Sequence, residues 1–222
     1  MRPPFSGFQF ALMLFLAGLL LAFVQIGVLT IAFDKLGLSQ SSAFLLLFSS
    51  LIGSVINLPL FTVAATPLNM ETVPVQWRDL VRKNQRAFKG KTLIAVNVGG
   101  GLIPALFSYY LIRYNALGLF DVLLAIAVVA GVSRITSHPI AGLGITMPLF
   151  IAPISAALAA IMINPAQSAP LAYIGGTLGV LIGADLLRLG DIRKMGAPIA
   201  AIGGAGTFDG IFLSGLVAVL LA

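Results

Sequence analysis

PIAAIGGAGTFDGIFLSGLVAVLLA, residues 198–222, runs for 25 residues with one charged side chain, Asp209. An apolar run longer than about 18 residues reads as a membrane-spanning helix. That reading raises a question. A carboxylate in hydrocarbon costs about 2.5–3.5 kcal/mol even on insertion scales, so an embedded one needs a reason. Glycines at positions 203, 204, 206 and 210 surround Asp209. The run before it, TLGVLIGADLLRLGD (177–191), carries a second such carboxylate, Asp185.

The rest of the chain has the same character. Of its 222 residues 59% are hydrophobic and 9% charged, against roughly a quarter charged in soluble domains. The mean hydropathy is +1.07. The composition predicts an all-α, polytopic transmembrane bundle forming one domain over residues 1–222. Seven spans are expected, at about 10–33, 42–66, 92–112, 117–135, 139–163, 169–189 and 198–222. The first is longer than the apolar core of a secretory signal, roughly 7–15 residues, and lacks a clear cleavage site, so it reads as a retained span. The chain has no cysteine, which excludes disulfides, thiolate catalysis and Cys-ligated metal.

Lys and Arg set the orientation. With a cytoplasmic N-terminus, Arg2, the six basic residues between Arg78 and Lys91, Arg134, Arg188, Arg193 and Lys194 fall inside, and only Lys35 and Arg113 fall outside. The expected topology is therefore N-terminus cytoplasmic and C-terminus outside, in a prokaryotic cell membrane. The long loop at 67–91 places Trp77, Leu80, Val81, Asn84 and Phe88 at helical spacing among basic residues. It reads as an amphipathic segment on the cytoplasmic surface, in contact with anionic lipid headgroups. The net charge of +6 is thereby accounted for at the membrane surface, and nucleic acid is not an expected partner.

This topology puts the polar residues of the spans in the cytoplasmic half. Asp185 lies about 6 Å and Asp209 about 16 Å from the inner ends of their spans on straight helices. Unwinding around Gly203, Gly204 and Gly206 would make Asp209 shallower. Asn57, Asn97 and His138 lie toward the same side. The expectation is a cavity open to cytoplasmic water, with Asp185 and Asp209 as the chemical pair and Asn57, Asn97, His138, Gly204, Gly206 and Gly210 lining it. Each has a plainer reading: interhelical hydrogen bonds for the asparagines, a helix boundary for His138 before Pro139, and neutral acids bonded to backbone for the aspartates. One histidine and no cysteine make a weak metal site, and neither metal nor cofactor is expected.

Glycines and prolines mark irregular packing. Gly175, Gly179 and Gly183 form a small-residue face that admits another helix, and Asp185 points about 200° away from Gly183. Gly206, Asp209, Gly210 and Leu213 share a stripe on the last span. Pro59, Pro104, Pro148 and Pro153 fall inside expected spans. Each frees a backbone carbonyl, which is tolerated only against protein or water.

As a whole the chain resembles an uncharacterised family of small multi-pass membrane proteins of archaea and bacteria, through IGADLL (182–187) and GGAGTFDGIFLSG (203–215). That family brings no established activity. A weaker resemblance is to intramembrane aspartyl proteases of the presenilin, signal-peptide-peptidase and prepilin-peptidase type. These carry one Asp in a span and a second in a GxGD motif at the cytoplasmic start of a later span. Here Asp185 would be the first and Asp209, after Gly204-Ala205-Gly206-Thr207-Phe208, the second. The motif departs from GxGD by two intervening residues, Ala184 stands where presenilins carry tyrosine, and no Pro-Ala-Leu motif follows.

The resemblance implies an intramembrane aspartyl hydrolase acting on a peptide or membrane-protein substrate. Two alternatives stay open at this point: a proton- or ion-coupled small-solute transporter, and a non-catalytic assembly or lipid-binding protein. Homo-oligomerisation also stays open.

Overall fold

The computed structural model describes residues 7–25, 27–67, 88–140, 144–204 and 210–222. Among these the chain is mostly helical, in eight helices. The first three are α1 (Gly7–Gln25), α2 (Val28–Lys35) and α3 (Gln40–Gly53). Strand β1 (Asn57–Ala64) precedes residues 67–91 in the chain and β2 (Lys91–Asn97) begins at their end. A widened π turn at Val98–Leu102 opens α4 (Ile103–Tyr114), and α5 (Leu119–Thr136) follows. Two short strands, β3 (His138–Ile140) and β4 (Gly144–Thr146), pair before α6 (Ile151–Ile163). The long helix α7 (Pro165–Ile192), strand β5 (Ile199–Ile202) and α8 (Gly210–Leu221) complete the chain.

Two helices, α5 and α7, are long and apolar enough to cross a membrane, whereas α3, α6 and Ile211–Leu221 are shorter apolar helices. The expectation of an all-α bundle is corrected here. Four of the expected spans contain strand: 42–66 ends in β1, 92–112 begins in β2, 139–163 begins in β3 and β4, and 198–222 begins in β5. The three longer strands form one sheet in the order β1-β2-β5, with β1 antiparallel and β5 parallel to β2.

The prolines explain this. Proline removes a backbone donor and breaks a helix interior, and within sheets it is confined to edges, strand starts and bulges. Pro59 sits in edge strand β1, beside an irregularity in register between Pro59 and Phe61. Pro139 sits in β3, Pro148 precedes α6, and Pro198 immediately precedes β5. Pro104 follows directly on the π turn that opens α4, and Pro153 lies in the first turn of α6, where the missing N–H has no helical acceptor to lose. β2 carries Thr92, Ile94 and Val96, residues that favour an extended backbone.

Helix α7 is the centre of the bundle. On one side a Cβ at Gly179 would meet Val129 Cβ at 2.7 Å, and one at Gly183 would meet the Ala130 carbonyl group, so only glycine lets α5 approach this closely. On another side a Cβ at Gly176 would meet Gly215 Cα of α8 at 3.3 Å. The small-residue face expected from the sequence is the α5–α7 contact. Tyr173, Phe107, Leu171, Phe212 and Leu216 fill the core around it, with the Phe107 and Tyr173 rings edge to face at 5.0 Å.

Candidate functional site

Helix α7 loses its regular geometry toward its end. π turns run at Gly175–Gly179 and Leu181–Asp185, followed by a tight 3-10 turn at Leu186–Arg188. Asp185 closes the second π turn. Its Oδ2 accepts a hydrogen bond of 2.7 Å from the Gly203 backbone N–H, and Oδ1 has no partner among the described residues. Gly203 ends β5 with φ +83 and is pressed against Gly100 and Gly101. A side chain at 203 would collide with that backbone. The carboxylate thus holds a turn that glycine alone can make.

Half-buried Asp185 lines a cavity of about 450 Å³. One wall is Ala197 with β5 and Gly204, a second is Gly144–Leu149, and α7, Ile211 and Ser214 bound the rest. β5 is an edge strand, so one row of its backbone groups is not used by β2. The lining is mainly apolar, through Ile145, Met147, Val180, Ile192, Ile199 and Ile202, and among the described residues Asp185 is its single ionisable side chain.

The expected site residues separate into three groups. Asp185 and Gly204 line the cavity together. Asn57 and Asn97 are not among its lining. They bond each other, Asn97 Nδ2 donating to Asn57 Oδ1 at 3.1 Å and to Ser54 O at 2.6 Å, while Asn97 Oδ1 accepts from Gly100 N–H at 2.8 Å. His138 is also off the lining. It is exposed at the start of β3, where its carbonyl accepts from Thr146 Oγ1 at 3.3 Å. Gly210 begins α8. Asp209, Gly206 and most of the amphipathic segment (68–87 of 67–91) lie outside the described residues. Among the described residues no three metal-ligating side chains converge.

Fully buried Asn97 sits where β2 becomes helix, and its side chain satisfies groups on three segments. Asn97→Ala leaves the buried Gly100 N–H and Ser54 carbonyl without these partners. We expect a loss of about 2–3 kcal/mol of stability, read as a lower midpoint of denaturant unfolding in detergent.

The sequence reading missed Arg188, which it counted only as a cytoplasmic charge. The side chain is buried. Nε donates to Ser137 Oγ at 2.7 Å, Nη2 donates to Arg134 O at 2.7 Å and also to Ser137 O, and Nη1 pairs with Asp191 Oδ2 at 3.1 Å. The available signal was its place in LLRL, one turn beyond Asp185 and flanked by apolar residues.

No curated protein and no solved structure matches the chain. One family model does, over residues 51–221, a stretch that holds Asn97, Asp185, Arg188, Gly203 and both walls of the cavity. With most of its length matched, the chain belongs to the family described as protein of unknown function, DUF1614.

Proposed function

We propose that this protein is an intramembrane aspartyl peptidase of the cell membrane, crossing it seven times with its N-terminus cytoplasmic, and that Asp185 and Asp209 are its catalytic pair. The observation that carries the reading is a carboxylate on a cavity walled by a strand edge: Asp185, anchored through one oxygen, beside β5. Gly204 and Ile211, which flank Asp209 in the sequence, line the same cavity. Spans built of strand and helix have sufficient reach. The 4 residues of β5 extend about 13 Å and the 12 of α8 about 18 Å, against a hydrocarbon core of about 30 Å. Strand backbone at such depth is tolerated where it lines a wet cavity.

The chemistry follows from the pair. Two carboxyls in contact share one proton, because ionising both is costly. The ionised member takes a proton from a water held between them, and that water attacks the scissile carbonyl carbon. The protonated member polarises the carbonyl oxygen. Collapse of the tetrahedral adduct breaks the C–N bond, and a carboxyl proton passes to the leaving amine. The two steps belong to the pair rather than to a named member. The substrate is an unwound segment, since a helical peptide has its carbonyls bonded, and the outer edge of β5 offers backbone partners to an extended one.

The test is reconstitution into proteoliposomes with a panel of single-span peptides carrying glycine or proline near their inner ends, read by mass spectrometry. Cleavage within the inner half is the expected result. No products from the panel, together with an Asp185–Asp209 carboxyl separation beyond about 8 Å in every conformer, would remove the reading, because proton sharing needs contact.

A further inference from the structure

The end of α7 holds both walls of the cavity. Through Asp185 it holds the turn at Gly203 that closes β5, and so the wall formed by Ala197–Ile202 and Gly204. Through Arg188 it holds the joint between α5 and β3, and so the strand pair leading into the second wall, Gly144–Leu149. We propose that Arg188 is a positioning residue that sets the width of this cavity by clasping the end of α5 to the end of α7.

The geometry is that of a clasp. Thr136 ends α5, and Ser137 bonds back to it through its own N–H to Ser133 O at 2.9 Å. The carbonyls of the last turn of a helix lack helical donors. Arg188 supplies donors to two of the carbonyls here, Arg134 O and Ser137 O, and a third donor to the Ser137 hydroxyl. A planar guanidinium reaches these acceptors on different sides at once, whereas a lysine ammonium is a point charge on a flexible stem. Asp191 Oδ2 provides the counter-charge. His138, the next residue after Ser137, begins β3, whose register with β4 (His138 against Thr146, Ile140 against Gly144) carries the constraint to the cavity wall.

The 3-10 turn matters to this arrangement. On a regular helix residues three apart lie on nearly the same face. A 3-10 turn aligns them further, since side chains three apart eclipse there, and from that shared face Asp185 and Arg188 serve partners on two separate segments. The irregular end of α7 thereby addresses both walls from neighbouring turns. The clasp concerns the shape of the cavity and holds whichever reaction the cavity hosts.

The chain has no cysteine, so two introduced cysteines are unique labelling sites. Leu149 and Ile199 belong one to each wall and are more than half exposed. Leu123 on α5 and Leu158 on α6 are equally exposed and serve as a control pair remote from the clasp. Spin labels on Leu149→Cys/Ile199→Cys are measured by double electron–electron resonance, with and without Arg188→Met. The expected result is a 149–199 distribution broadened about twofold, as for a local opening, with the 123–158 distribution and the helical circular dichroism unchanged.

An unchanged 149–199 distribution in folded protein overturns the proposal. Equal broadening at both pairs also overturns it, because Arg188 would then be a general stabiliser. Should Arg188→Met not fold, Arg188→Lys carries the same comparison: it keeps the charge but cannot bridge the three acceptors. A 149–199 distribution identical to that of the parent would again sink the idea.

Discussion

Asp185→Asn is expected to lower peptide cleavage at least about 10³-fold, the scale of a lost general acid or base, while leaving the fold in place. The geometry makes this substitution unusually clean. The structural task of Asp185 is to accept the Gly203 N–H, and an asparagine oxygen does so as well as a carboxylate oxygen. What the amide cannot do is ionise. Asp185→Ala lacks the acceptor as well, so it is expected to lose stability in addition to activity. Comparing the two variants by cleavage rate and thermal unfolding separates the chemical role from the structural one. Asp209→Asn should be as inactive as Asp185→Asn, and the double variant no worse than either, because residues acting as a unit are not additive. An active Asp185→Asn protein would refute the catalytic assignment outright.

Gly203→Ala is the substitution expected to damage the fold most. Two penalties meet at this position. A φ of +83 is left-handed backbone that a non-glycine residue adopts at a cost of roughly 1–2 kcal/mol. A methyl group there would also press on the backbone of Gly100 and Gly101, which cannot swing aside as a flexible side chain would. The sum is expected to reach about 3–5 kcal/mol, at the upper end of single substitutions, and to appear as protein unfolded or aggregated in detergent. Gly190→Ala is the matched control. Its φ is not positive and no atom lies within 4 Å of the added Cβ, so its effect should stay within about 0.5 kcal/mol. A Gly203→Ala protein as stable as Gly190→Ala would mean that the β5 turn is not held as described.

Parts of this architecture were legible from the residues and parts were not, for identifiable reasons. A close helix contact on α7 could be read from Gly175, Gly179 and Gly183, because a four-residue glycine spacing keeps one face bare over two turns, but not that α5 makes it. The cavity around Asp185 and Gly204 could be anticipated from a carboxylate whose cost demanded water or a partner. Asn97 was visible as polar within a span, but its bonding to Asn57, Ser54 and Gly100 depends on β1 and β2 pairing, which helical periodicity does not reveal. The strands themselves were hidden by composition. A run such as PIAAI is apolar in either backbone conformation, and short apolar runs do not distinguish strand from helix. The prolines held the missing information: they marked the boundaries where helix gives way to strand, whereas the sequence reading took them as breaks within helices. Arg188 was obscured because a basic residue at an inner span end is already explained by topology.

The mixed build of these segments has a consequence for how the chain tolerates insertions and deletions. Adding one residue to a helix rotates everything beyond it by about 100° and advances it by about 1.5 Å. Adding one to β5 or β2 inverts the two faces of the strand and advances the chain by about 3.3 Å. An inserted residue in β5 would therefore turn its following side chains to the other face and offset α8 against Gly176 by about 3.3 Å.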